Sequence, residues 1–198
     1  SAVIAAAEKR CMKLHVIGEN AGDREATENV ALLFGYLKNA DKNEFIVQKA
    51  VELGVKKIVA FSSEYSSAYM NENKLERLNK VSREAAKQCL RSVAPRVIYC
   101  GDFQSALKEA DGYENKLFAC EFAKDSEAEL STLKGSCALI VGSEGGFSEK
   151  EAALAKENGF SSITLGKRIL RAETAAVALT AVVMFSLGEL GGRRGEKV

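Results

Sequence analysis

The chain has 198 residues, 46% of them hydrophobic and 28% charged, with 28 basic against 27 acidic side chains for a net charge of +1. That length suits one α/β domain with a small appendage. The near-neutral balance excludes a bulk polyanion binder, which carries a strong basic surplus, and leaves only local basic patches. The five cysteines (Cys11, Cys89, Cys100, Cys120 and Cys137) are scattered with no C-x-x-C pair, so metal-ligand spacing is absent. Reduced thiols in a cytoplasmic protein are expected. His15, the only histidine, lies in a strand-like segment far from the glycine loops, which argues against a Ser-His-Asp or Cys-His engine.

Residues 1–7 are apolar but lack a basic lead-in, so no secretory signal is expected. The longest uncharged run, 174–188, falls short of the ~20 residues of a membrane helix. Residues 1–7 and 13–17 read as two short strands around a turn. The chain opens mid-pattern without an initiator Met, as if it continued a longer polypeptide. Two strands alone are marginal in water, so these are expected to end a small β-domain or to pair with a neighbour. A polar linker, 18–28, leads to a hydrophobic strand at 30–36.

Strands and helices then alternate. Asp41 is placed as the cap of a helix running to Leu53, with Glu44 closing a capping box and Gly54 as the stop. Ile46, Ala50 and Leu53 share one face of it. After a strand at 56–61, the polar and aromatic stretch 62–73, with Tyr65 and Tyr69, is a loop long enough to suggest function. A helix over 75–90 turns Leu75, Leu78, Val81, Ala85 and Cys89 inward and Arg77, Lys80, Arg83, Lys87 and Arg91 outward. Pro95 precedes a strand at 96–99, Asp102 caps a helix to Glu109, a strand covers 116–122, and a short helix covers 125–133. Six strands alternating with helices predict a mostly parallel sheet covered on both faces.

The most informative stretch comes last. The apolar run Cys137–Val141 reads as a buried strand, and a glycine turn (Gly142-Ser143-Glu144-Gly145-Gly146) follows it. Ser148 and Glu151 are spaced as a capping box, and Lys156 and Gly159 mark that helix's end. A strand at 162–165 runs into Gly166-Lys167-Arg168, then an uncharged helix over 174–187. Two glycine loops after two parallel strands fall on one sheet edge, where a small ligand would sit. A G-x-G-x-x-G is missing, and no Lys-Ser/Thr follows the glycines, so a dinucleotide site is weak and a P-loop is excluded. Glu144 would repel phosphate, which points to a cationic or hydrogen-bond-rich ligand. The bland alternative is that Gly142, Gly145 and Gly146 only permit a tight turn. Arg168, Arg171 and Glu173 stand at the mouth of the apolar helix. They are either positioned for a substrate or internally used, Glu173 and Thr174 as caps and Arg171 paired with Glu144 or Glu173.

GSEGGFSEKE (142–151) and LGKRILRAETA (165–175) resemble the signature of the SPOUT-class RNA methyltransferases, G-P-E-G-G-[FL]-[ST]-x-x-E followed by L-G-x-R-I-L-R-x-E-T-A. QKAVELGV (48–55) is similar to Q-K-A-T-E-L-G-V, and EAAKQCLR (84–91) to E-A-A-E-Q-S-x-R, of the narrower family that methylates N3 of a uridine in bacterial small-subunit ribosomal RNA. The resemblance spans 30–187. It implies an α/β fold, a mostly parallel sheet with a C-terminal trefoil knot (the SPOUT or alpha-beta knot), preceded by the remnant of a PUA-like β-barrel. Residues 1–24 would be that remnant and linker, and 25–198 the methyltransferase domain. The implied cofactor is S-adenosylmethionine, held by Val141, Gly142, Glu144, Gly145 and Gly146 from one loop and Leu165, Gly166, Ile169, Leu170 and Thr174 from the other. Arg171 would stabilise a uracil anion, and Glu173 would accept the proton or orient Arg171. Gln88, Arg91, Arg83, Lys87 and Arg168 would contact RNA, as free rRNA or in the assembled small subunit. A homodimer through the apolar last helix is implied, with no metal and no membrane.

Three residues depart from the family pattern: Ser143 for a proline, Tyr65 for an arginine in 63–66, and Lys42 for an arginine in 36–44. The competing readings are a methyltransferase of the same fold acting on another RNA such as tRNA, and a non-enzymatic RNA-binding module. The 48–55 match argues against the tRNA reading.

Overall fold

The computed structural model describes residues 2–18, 24–120 and 128–191. Strands β1 (Ala2–Ala7) and β2 (Met12–Val16) form an antiparallel hairpin, Ala2 opposite Val16, in a sheet of their own. The remaining elements follow in order: β3 (Val30–Gly35), α1 (Ala40–Glu52), β4 (Lys57–Ser62), α2 (Glu72–Gln88), β5 (Val97–Asp102), α3 (Phe103–Lys108), β6 (Asn115–Ala119), β7 (Cys137–Val141), α4 (Glu149–Glu157), β8 (Ser161–Ile163) and α5 (Ala172–Ser186). Their strands make one six-stranded sheet, order β5-β4-β3-β7-β6-β8, with every pair parallel.

Central β3 and β7 are buried along their whole length, which is why both read as unbroken apolar runs rather than alternating ones. Leu32, Phe34, Leu139 and Val141 face a core shared with Ile46, Val47, Leu179 and Val183 of α1 and α5. On the other face Leu33, Phe61 and Ile140 meet Phe103, Leu107 and Phe147, and the Phe61–Phe103 and Phe103–Phe147 rings lie 5.4 Å apart. The order in which strands are added reverses between β3 and β7, so the crevice beyond their carboxyl ends is the topological switch point.

Several boundaries differ from expectation for local reasons. Asn39, not Asp41, caps α1: its side chain accepts from Asp41 N–H at 2.8 Å, and Asp41 becomes a first-turn acid. Glu44 closes no capping box and instead pairs with Arg77 on α2. Asn71, accepting from Lys74 N–H at 2.9 Å, starts α2 earlier than its apolar spacing suggests. Only a 3₁₀ turn, Leu130–Thr132, appears where a helix over 125–133 is expected, with 125–127 outside the described residues. β6 stops at Ala119, and 121–122 also lie outside them. Helix α5 begins at Ala172 behind Arg171, with no side-chain cap, so Glu173 and Thr174 lie within its first turn.

The largest correction concerns Arg91, expected on the outer, RNA-facing side of α2. Leu90 swings to φ 61°, ending the helix, and Arg91 turns inward with its side chain 3% exposed. Its guanidinium donates to the Val51 and Val55 carbonyls, each at 2.9 Å, and to Glu25 at 2.8 Å. Glu25 also accepts from Ser92 and Val93 N–H. Burial alone would raise the Glu25 carboxyl, but Arg91 and these backbone donors outweigh it and hold it below its ordinary value. Arg91→Ala is expected to destabilise the fold by about 3 kcal/mol in chemical denaturation, because it strands two carbonyls and a carboxylate. Since the folded-state pKa of Glu25 is depressed, the latch contributes above the ordinary glutamate range and fades as pH falls through the folded value. The Arg91→Ala deficit should therefore shrink in acid. A deficit independent of pH would contradict this.

Candidate active site

The first turn is built from the end of β7. Phe34 of β3 pairs with Val141 of β7, so Gly35 and Gly142 emerge side by side. A Cβ on Gly35 would collide with the Ser143 amide nitrogen, and one on Gly142 would lie 3.1 Å from the Gly146 backbone. Glycine is needed at Gly35 for this close approach, and Gly142 packs tightly enough on Gly146 that a side chain there would press on the turn. Gly146 N–H bonds the Ser143 carbonyl at 3.0 Å, closing the turn on itself.

Two neighbouring loops brace it. Glu144 Oε1 accepts from Lys38 N–H at 3.1 Å, tying the turn to the loop after β3 rather than to Arg171. The Ser143 hydroxyl lies 3.0 Å from that of Ser63, in the loop after β4, and the Ser63 hydroxyl is 3.0 Å from that of Ser66. Ser143 thus finds a hydroxyl partner where the family places proline. The capping box expected at Ser148 and Glu151 is present, and Glu151 Oε1 additionally accepts from Glu64 N–H at 2.9 Å. Tyr65 packs on the turn: a Cβ on Gly145 would lie 2.6 Å from Tyr65 Cβ.

Opposite, the segment between β8 and α5 passes through Gly166 at φ 104° and exposes Ile169. Between the two turns lies a cavity of about 730 Å³, within the range of small-ligand sites. Of the cofactor residues expected from sequence, Val141, Gly142, Glu144, Gly146, Leu165, Gly166, Ile169 and Leu170 line it, as do Arg168, Arg171 and Glu173. Gly145 and Thr174 do not. Cys120, Phe147 and Lys42 line it without having been anticipated. Lys42 stood inside a recognised motif, but nothing in β6's sequence announces that its end borders β7.

Charge in the cavity is ordered by one ion pair. Lys42 Nζ lies 3.0 Å from Glu173 Oε1, while Glu173 Oε2 is shut off from solvent with no donor among the described residues. Burial alone would raise the Glu173 carboxyl; its own backbone N–H, the Lys42 hydrogen bond and charge, and the Arg171 charge reverse this and hold it below its ordinary value. Arg171 itself is exposed and makes no ion pair among the described residues. Expected RNA contacts Arg83, Lys87 and Gln88 stay exposed on α2, Lys87 paired with Glu84 at 3.0 Å. Gln88 borders a second groove of about 650 Å³ with Phe45, Gln48 and Lys80. Among the described residues no helix is long and apolar enough to cross a membrane, and no cluster of His, Cys, Asp or Glu could hold a metal.

A parallel sheet with a ligand-sized cavity at its switch point, walled by two glycine-bearing turns, defines an α/β protein that holds a small molecule beside a charged surface. Residues 24–184 match the family model of the RNA methyltransferase domain. The chain is 36% identical over 170 residues to the ribosomal RNA small subunit methyltransferase E of Mesomycoplasma hyopneumoniae, covering 84% of this chain and 74% of that one. Identity to the Bacillus subtilis protein of the same name is 34% over 186 residues, covering 87% and 71%. The structure of the Neisseria gonorrhoeae ribosomal RNA small subunit methyltransferase E bound to S-adenosyl methionine matches with a TM-score of 0.85 at 30% identity, covering 96% of this chain and 79% of that one. The chain belongs to the RNA methyltransferase domain family, in the branch of the ribosomal RNA small subunit methyltransferases E.

Gly35→Ala is expected to cost about 1–3 kcal/mol in chemical denaturation, since the added methyl forces the Ser143 backbone to retreat. An unchanged midpoint would show that the two strand ends are not in contact.

Proposed function

We propose that this chain transfers a methyl group from S-adenosylmethionine to N3 of a uridine in small-subunit ribosomal RNA. The observation that carries this reading is the cavity itself, lined by Arg171, Glu173 and Lys42, in a chain of this family. The residues present fit the cofactor. Leu165, Leu170 and Phe147 offer apolar walls to a flat ring, and Gly166, with nothing within 4 Å of where a side chain would start, leaves its backbone open. Glu144 and Glu173 put negative charge where a cation gains by binding, and neither turn has the makings of a phosphate cradle.

The bound cofactor supplies an electrophilic methyl group on a sulfonium. The chain's own residues do the rest. Arg171, which makes no ion pair among the described residues, offers paired donors to a uracil carbonyl and stabilises the negative charge that builds as the N3 proton leaves. Glu173 is the proton acceptor. Its partner is Lys42 rather than Arg171, which removes the reason to read it as the group that orients Arg171. The two braced turns supply positioning. Lys167 and Arg168 at the mouth, with Arg83, Lys87 and Gln88 on α2, meet the RNA backbone; Arg91, committed internally, does not.

The same reading takes the C-terminal segment as a trefoil knot, residues 1–24 as the end of a PUA-like RNA-binding barrel with its linker, and 25–198 as the methyltransferase domain. It places the protein with ribosomal subunits in the cytoplasm. Val182 and Phe185, large apolar side chains left exposed on α5, support a homodimer through that helix.

Arg171→Ala is expected to lower methyl transfer by about 10²–10³-fold, the usual loss for one preorganised donor, with S-adenosylmethionine affinity by calorimetry within a few fold of wild type. A variant that transfers normally would remove Arg171 from this role. Absence of heat with the wild-type chain would favour a non-enzymatic RNA-binding module.

A further inference from the structure

We propose that Lys42 is a positioning residue for this reaction: its ammonium clamps Glu173 Oε1 and leaves the second carboxylate oxygen to take a donor hydrogen from the substrate. This rests on Glu173 being the proton acceptor. Lys42 sits near the start of α1, where Asn39 caps the helix and the buried Asn43 side chain bonds both Leu37 N–H, at 2.9 Å, and Leu37 C=O, at 2.8 Å. The lysine therefore springs from a fixed backbone. Glu173 is equally anchored, in the first turn of α5, where the helix dipole favours a carboxylate. The ion pair joins two helices that also pack on one another, and both side chains are mostly covered.

The unsatisfied Oε2 makes this more than a strut. A buried carboxylate oxygen without a donor is costly, so a donor that reaches it is strongly favoured. With Lys42 on Oε1, Oε2 is the oxygen left for a donor from a ligand in the cavity that Glu173 lines. The charged groups facing Glu173 are Lys42 from α1 and Arg171 from the loop before α5. Glu144, Lys167 and Arg168 also line the cavity. Burial acts to protonate Glu173, and a protonated carboxyl cannot take up the N3 proton. The Lys42 hydrogen bond and charge are leading opposing influences after the group's own backbone N–H. Removing Lys42 should therefore raise the Glu173 pKa. Because transfer needs the ionised form and is lost as pH falls through that pKa, the acid limb of the pH profile should move to higher pH.

The test compares wild type, Lys42→Met and Lys42→Arg, each as the full chain, with small-subunit rRNA and isotope-labelled S-adenosylmethionine. Lys42→Met is expected to lower kcat at least ~10-fold, leave KM for the cofactor within about threefold, and move the acid limb up by about one pH unit or more. Lys42→Arg, which keeps charge and reach, should restore both rate and limb. In a Glu173→Gln background, Lys42→Met should cost little further rate. An acid limb unmoved in Lys42→Met, or an arginine variant as impaired as the methionine one, would overturn the proposal and reduce Lys42 to a structural tie. Should Lys42→Met not fold, the Glu173 carboxyl is titrated by ¹³C NMR in the wild type, and a midpoint at or above the ordinary glutamate value overturns it equally. If the wild type moves no methyl group to rRNA, the proposed reaction fails; if it does and the limb stays put, only the role of Lys42 fails.

Discussion

The parallel pairing of β3 with β7 is the constraint from which the rest of this molecule follows. It sets Val30 opposite Cys137 and Phe34 opposite Val141, so both strands end at the same level and their glycines meet. Gly35 cannot carry a side chain there without displacing Ser143, and Gly142 and Gly146 fold back on one another for the same reason. Because the order of strand addition reverses between these two parallel strands, β4 and β5 lying to one side and β6 and β8 to the other, the loops beyond them splay apart and leave a crevice. The segment after β8 closes its other side. A cavity of this kind needs no dedicated binding motif: it is the geometric residue of two strand ends that must lie close.

What the crevice can do depends on charges with few places to go. Glu144, which sequence alone leaves free to act on a ligand, fastens the loop after β3 to the glycine turn, and Glu151, beyond its capping role, holds the loop after β4 to α4. That leaves Glu173 as the carboxylate still short of a donor, and Arg171 as a guanidinium without an ion pair among the described residues. One acceptor and one cation, on neighbouring positions at the start of a buried helix, are what a proton-removing step on a weakly acidic ring nitrogen calls for. Lys42 comes from α1 and lies 3.0 Å from the Glu173 carboxylate, whose pKa it helps to lower.

Much of this was legible beforehand, for identifiable reasons. Strand β7 reads to the residue because a strand buried on both faces is apolar throughout, and the box at Ser148 and Glu151 depends only on local spacing. Most of the cavity lining, from 141–144, Gly146 and 165–171, followed from motif resemblance and from two glycine loops on one sheet edge, though Gly145 and Thr174, expected there too, do not line it. Long-range facts were not legible. Arg91 belongs by helical periodicity to the outer face of α2, but Leu90 breaks the helix and turns it inward toward Glu25, a residue 66 positions away. The starts of α1 and α2 were misplaced because asparagines just upstream cap them, and apolar spacing carries no record of a cap. The Lys42–Glu173 pair joins distant parts of the chain that only the packing of α1 on α5 brings together.

The most direct measurement is nucleoside mass spectrometry of small-subunit ribosomal RNA after incubation with this chain and a methyl-deuterated S-adenosylmethionine. The predicted result is deuterium in 3-methyluridine, confined to one position of the RNA. Label on a ribose hydroxyl, on another base, or nowhere at all would contradict the assignment of Arg171 and Glu173 to a uracil ring nitrogen.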